Sequence, residues 1–199
     1  MRKLLVVSVV GVVIVAGVAF FAANVLSDFS EKDQALRTIF EQRAAALRET
    51  DRRFPFEPRA ALDPARFQVY LEVRRTVARE FEARIQEHAR NRFHARRTHN
   101  ELLRILRAQL DEKQMSLLEY RTTAARWRAL LGRREFPGLQ AAWRATVTTA
   151  EHSGGLPLPD PATDATTREI ELIRRYARLL EESMYADLLD PLLDAVAES

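Results

Sequence analysis

The chain has 199 residues, 47% of them hydrophobic, with 31 basic and 28 acidic side chains and no cysteine. That length allows one domain with a real core beside a short appendage, and the lack of cysteine excludes a disulfide staple or a thiol-linked lipid. The pI near 9.6 overstates the basic character, because Arg2 and Lys3 sit ahead of everything else and the chain beyond residue 27 is close to neutral.

Leu4 to Leu26 is an uncharged run of 23 residues. As a helix it would reach roughly 34 Å, enough to cross a hydrocarbon core of about 30 Å with some tilt. It exceeds the apolar core of a cleaved signal, and its one small-x-small pattern, Gly17-Val18-Ala19, lies inside the run. Residues 1–27 are therefore expected to be an uncleaved inner-membrane anchor. Arg2 and Lys3 precede it, and Asp28, Glu31 and Asp33 follow. By the positive-inside rule the N-terminus is cytoplasmic and the rest periplasmic.

Residues 28–53 read as an amphipathic juxtamembrane helix, with Leu36, Ile39, Phe40 and Leu47 at helical spacing and a near capping box at Ser30 and Asp33. Residues 54–62 form a Pro-rich loop around Phe54-Pro55-Phe56-Glu57-Pro58, whose phenylalanines should pin it to the helices. A helical bundle follows over 63–152. Asp63-Pro64 is a helix start, and the apolar stripe runs Phe67, Tyr70/Leu71, Val77/Ala78, Phe81, Ile85. Leu102, Leu103, Leu106 and Leu110 resume it, so 64–112 is either one long helix or two, and the capping pattern Thr98…Glu101 favours a break or kink near 96–98. Ser116 and Glu119 predict another start, for a helix through Leu117, Leu118, Tyr120, Ala124, Trp127 and Leu131 that ends at Gly132. A shorter helix begins at Pro137 and carries Leu139, Trp143 and Val147. Residues 153–163 are a Pro/Gly connector, and 164–199 a C-terminal helix with an acidic tail packing on the bundle, restarted at Asp190-Pro191. No stretch alternates with period two. The fold class expected is all-α: a transmembrane helix followed by an extracytoplasmic bundle of four to six helices.

Charge is segregated. Arg84 to Arg107 holds seven arginines against Glu87 and Glu101, while Leu179 to Ser199 holds six acids and no base. Arginine pairs bidentately with carboxylate or phosphate, so Arg90, Arg92, Arg96, Arg97, Arg104 and Arg107 form a candidate interaction face for anionic head groups or an acidic partner. Two other readings compete: a solvated face paired locally by Glu87 with Arg90 and Glu101 with Arg104, and the acidic tail folding back onto the stretch.

Catalytic patterns are sparse. His88, His94 and His99 are spaced six and five apart, unlike an i,i+4 ligand pair, and the one glycine pair, Gly154-Gly155, follows no strand. No nucleophile elbow or HExxH occurs, and pairs such as Glu80/Glu82 and Glu181/Glu182 read as helix surface. No catalytic residue, metal or cofactor is expected, nor an enzyme. Nucleic acid is not an expected partner, since the domain is placed outside the cytoplasm.

Four strings, Phe54-Pro55-Phe56-Glu57-Pro58, Phe67-x-x-Tyr70-Leu71-x-Val73-Arg74, Met115-Ser116-x-x-Glu119-Tyr120-Arg121 and Glu171-Leu172-Ile173-x-x-Tyr176, are similar to those of an uncharacterised group of bacterial envelope proteins with an N-terminal anchor or signal and a helical domain. The resemblance implies location and fold and brings no activity with it. The function expected is a protein-binding accessory subunit or scaffold of an envelope complex, with an envelope or membrane protein partner and self-association possible. The alternatives are a helical periplasmic holdase, and an anionic-lipid or anion binder working through the arginine face.

Overall fold

The computed structural model describes residues 31–58, 61–88, 92–131, 133, 135–149 and 164–198. The chain divides into two units, Met1–Ile39 and Phe40–Ser199. Among the described residues every regular element is helical and no helix is long and apolar enough to cross a membrane. The expected anchor and the box at Ser30 lie outside the described residues.

Residues 31–53 are helical (α1). After the loop come α2 (Pro64–His88), α3 (Arg92–Glu112), α4 (Leu117–Leu131), α5 (Pro137–Thr149) and α6 (Thr167–Glu182), then a 3-10 helix (Met184–Leu189) and α7 (Asp190–Glu198). The described helices thus exceed the four to six expected. The tail that reads as an acidic appendix buries Met184, Ala186, Leu189, Leu193 and Val196, so it folds as two further elements.

The apolar stripes behave as expected. Phe67, Tyr70, Leu71, Val77, Ala78 and Phe81 of α2, the four leucines of α3, and Tyr120, Ala124, Trp127 and Leu131 of α4 are buried in one cluster. Leu118 departs from its predicted stripe and is 40% exposed. The break near 96–98 does not occur: α3 runs from Arg92 through Thr98, which is buried. Helix α2 ends at His88 and α3 begins at Arg92. The Glu101 carboxylate that would complete a cap accepts from Arg104 instead, at 2.5–3.1 Å.

Helix ends are set by side chains. Asp63 accepts from the backbone N–H groups of Ala65 and Arg66 at 2.9 and 3.1 Å, starting α2 as its Asp-Pro pair predicts. Three of the open N–H groups of α4 find oxygens: Leu117 donates to Thr50 Oγ1 (2.9 Å), Leu118 to Asp51 Oδ1 (2.7 Å) and Glu119 to Ser116 Oγ (2.9 Å). The end of α1 thereby supplies two of the caps of α4. Thr166 and Glu169 form a complete capping box at the start of α6, a pattern the sequence reading passed over.

Helix α3 ends in a six-residue hydrogen-bonded closure, with Met115 N–H on the Leu110 carbonyl (2.9 Å) and Gln114 at φ 49°. That left-handed position ordinarily takes glycine, and a side chain there costs about 1–2 kcal/mol. Gln114→Gly should therefore stabilise the protein by roughly 0.5–1 kcal/mol after the extra freedom glycine gives the unfolded chain. Urea denaturation of the two proteins checks it; a lower midpoint for the glycine variant would show that the glutamine side chain contributes more than its backbone strain removes.

The first three helices share a register. Arg53 bonds Asp111 at 2.7 Å, and ten residues back on each helix Arg43 adds to the positive field on Glu101, so α1 and α3 run parallel. Lys113 meets Glu72 at 2.9 Å and Arg84 lies in the field of Glu101, so α2 runs antiparallel to both.

Candidate functional site

An open cleft of about 780 Å³ lies between the Pro-rich loop and helices α2 and α4. Phe54, Pro55 and Phe56 form one wall, Arg66 and Phe67 of α2 and Thr122, Thr123 and Arg126 of α4 the other. Two prolines keep this loop out of helix, so both phenylalanines stay half-buried against the cleft. The Arg53 guanidinium caps the Phe54 ring at 5.1 Å. Glu57 stands exposed at the rim with no partner among the described residues.

Both inner guanidinium groups are committed. Arg66 donates to both oxygens of Glu119 at 2.6 Å and to the Gln114 carbonyl at 3.1 Å. The bond to Glu119 raises the Arg66 pKa against a smaller loss from burial. Ser116 and Glu119 thus make half of the predicted capping box: the hydroxyl caps the backbone, while the carboxylate turns to Arg66. Arg126 donates to both oxygens of Glu169, at 2.8 and 3.0 Å, and to Asp164 at 2.8 Å. Glu169 also accepts from the Leu62 and Thr166 N–H groups at 3.2 and 3.0 Å, which ties the loop to α6. Burial pushes the Glu169 carboxyl up, but Arg126 and these N–H donors outweigh it and hold the pKa at about 2.

Behind Phe67 the cleft wall continues into a buried polar cluster. Arg74 is 1% exposed and bonds both oxygens of Asp187 (one at 2.6 Å), Ser183 Oγ at 2.9 Å and Tyr70 Oη at 3.1 Å. Its guanidinium lies 4.6 Å from the Trp127 ring centre, and Trp127 donates to the same Tyr70 oxygen at 2.8 Å. Burial works against the Arg74 charge, but Asp187 and its neighbours raise the pKa well above the ordinary value. Burial also raises the pKa of Tyr70 and Tyr120, so both stay neutral phenols at ordinary pH.

The four strings that carry the resemblance converge here. Phe67 stacks on Tyr70 (5.8 Å) and meets Tyr176 edge-on (6.0 Å), while Tyr70 packs on Tyr120 (5.0 Å). The Phe-Pro-Phe-Glu-Pro loop closes the other side of the cleft. Arg74 occupies a stripe position of α2, and that intrusion is the signal by which the sequence could have disclosed it. Glu169 stands in a Thr-x-x-Glu capping pattern with Thr166, which marks a helix start but not its pairing with Arg126, while Arg66 and Arg126 offer no signal at all.

The arginine face is placed differently from the cleft. Arg97, Arg104 and Arg107 are exposed on α3, with Arg104 bonded to Glu101 and Arg107 3.7 Å from Asp111. Arg96 is half-buried. Arg90 and the side chain of Arg92 lie outside the described residues. The acidic tail does fold back onto arginines, but onto others: Asp187 pairs with Arg74, Asp190 with Arg128 and Asp194 with Arg121. Those acids recur along one side of the tail beside α2 and α4, and apolar burial of Leu189, Leu193 and Val196 sets that placement.

Among the described residues no group of three His, Asp or Glu side chains could hold a metal ion. No protein-family model matches the chain, and no curated protein or solved structure matches it either.

Proposed function

We propose that this chain is a single-pass inner-membrane protein whose periplasmic helical domain is an accessory subunit or scaffold, holding a segment of another envelope protein in the cleft beside the Phe-Pro-Phe loop. The observation that supports this is the make-up of the cleft: an aromatic wall facing guanidinium groups already paired with Glu119 and Glu169. Such a wall gives an apolar segment surface to bury, and its arginines are already engaged by the protein's own carboxylates. Glu57 at the rim suits a partner segment that carries a basic residue. Photo-crosslinkers at Phe56 and at Arg175, exposed on α6, test this in intact cells. The Phe56 probe should capture one discrete envelope protein that the Arg175 probe does not, and Glu57→Arg should weaken the capture. Identical adducts from both positions, or none, would sink the assignment.

A further inference from the structure

The common register of α1, α2 and α3 places residues 40–44, 79–84 and 94–104 at one end of the molecule. Those segments hold six arginines and four glutamates, whereas 49–53, 63–72 and 107–113 at the opposite end hold five basic and six acidic residues. The three-helix layer is therefore polarised along its length, positive at the end where the Phe40–Ser199 unit begins. At the positive end Glu80 is paired with Arg84, and Glu101 with Arg104. Glu101 is held below the usual carboxylate range by that Arg104 bond, with burial opposing it and Arg84 and Arg43 adding to the field. Six arginines against four glutamates leave this end with a net positive charge of two, and Arg97 stands exposed on it.

We propose that this end docks on the anionic phospholipid headgroups of the leaflet from which the chain emerges. The proposal rests on the Leu4–Leu26 run holding the protein in a bilayer. Phe40 lies only 14 residues beyond Leu26. Even fully extended, that linker spans at most about 50 Å, so the positive end is confined near the headgroups at high effective concentration. Arginine suits the partner because its planar fork bonds phosphate oxygens in pairs, and the attraction decays over a Debye length of about 8–10 Å. The unit would then rest on the membrane by the end that carries Arg84, Arg97 and Arg104, with the cleft residues Arg53, Arg66 and Gln114, which belong to the opposite end, held away from the lipid.

The full chain in nanodiscs tests this, and the absence of cysteine makes single-site labelling clean. Probes at A83C, exposed beside Arg84, and L118C, exposed beside Asp51 at the other end, report energy transfer to a headgroup-labelled lipid. In discs containing phosphatidylglycerol the Ala83 position should transfer more strongly than the Leu118 position. The difference should vanish in pure phosphatidylcholine, at about 0.5 M salt, and in R97E/R104E, but persist in R97K/R104K. Equal transfer from both positions in an inserted chain, or transfer indifferent to lipid charge, overturns the docking alone. So does occlusion of the Ala83 probe by a co-purified acidic protein. A chain that fails to enter the disc overturns the anchor and the docking together.

Discussion

Arg74→Met is expected to destabilise the protein by about 3–5 kcal/mol, because it strands the buried Asp187 carboxylate without its counter-charge. Arg74 and Asp187 are 1% and 3% exposed at the side chain, so water cannot replace the lost partner. The substitution also removes the donors to Ser183 and Tyr70 and the cation over Trp127. The double change R74M/D187L should recover most of the loss, since a buried ion pair replaced by apolar residues of similar size is often close to neutral. Chemical denaturation of the single and double variants measures both values. A single variant within about 1 kcal/mol of wild type would mean that solvent or a neighbouring cation reaches Asp187.

The second large effect is on pH dependence. The Glu169 carboxyl ordinarily titrates near 4.5 and is held at about 2 in the folded protein. A depressed folded-state pKa contributes stability that is fully present above the unfolded value and is lost as the pH falls through the folded one. The loss should therefore run from about pH 5 down to about pH 2. It should amount to roughly 2 kcal/mol, allowing for solvent screening through the adjoining cleft. Glu169→Gln should remove most of this acid dependence while lowering stability at neutral pH. Denaturation midpoints across that range decide it; an unchanged acid limb in the glutamine variant would assign the dependence to another carboxylate.

Helix starts and core stripes were legible because each depends on neighbours within four residues. Asp63-Pro64, Ser116 and Pro137 mark starts that the fold adopts, and the leucines of α3 all turn inward. Thr98 misled because a capping pattern in the middle of an apolar stripe is outweighed by burying the helix whole. The candidate site was far less legible. Its salt bridges join residues 53 (Arg66 to Glu119), 113 (Arg74 to Asp187) and 43 (Arg126 to Glu169) positions apart, and no local rule pairs one arginine among many with one acid. The segregation of acids into the tail suggested a return to the Arg84–Arg107 stretch, whereas the partners are Arg74, Arg121 and Arg128. Which arginines was decided by packing of the 3-10 helix of the tail against α2 and α5, a matter of three-dimensional fit.

The splice between Thr50, Asp51 and the first turn of α4 makes α1 more than a stalk. A pull from the N-terminal side meets the fully buried Ala44 and Leu47 before it loads those two bonds. Beyond that buried contact, the same two bonds fasten the end of α1 to the helix that supplies Arg126 and Thr123, so the cleft wall and the segment leading into the Phe-Pro-Phe loop move as one piece.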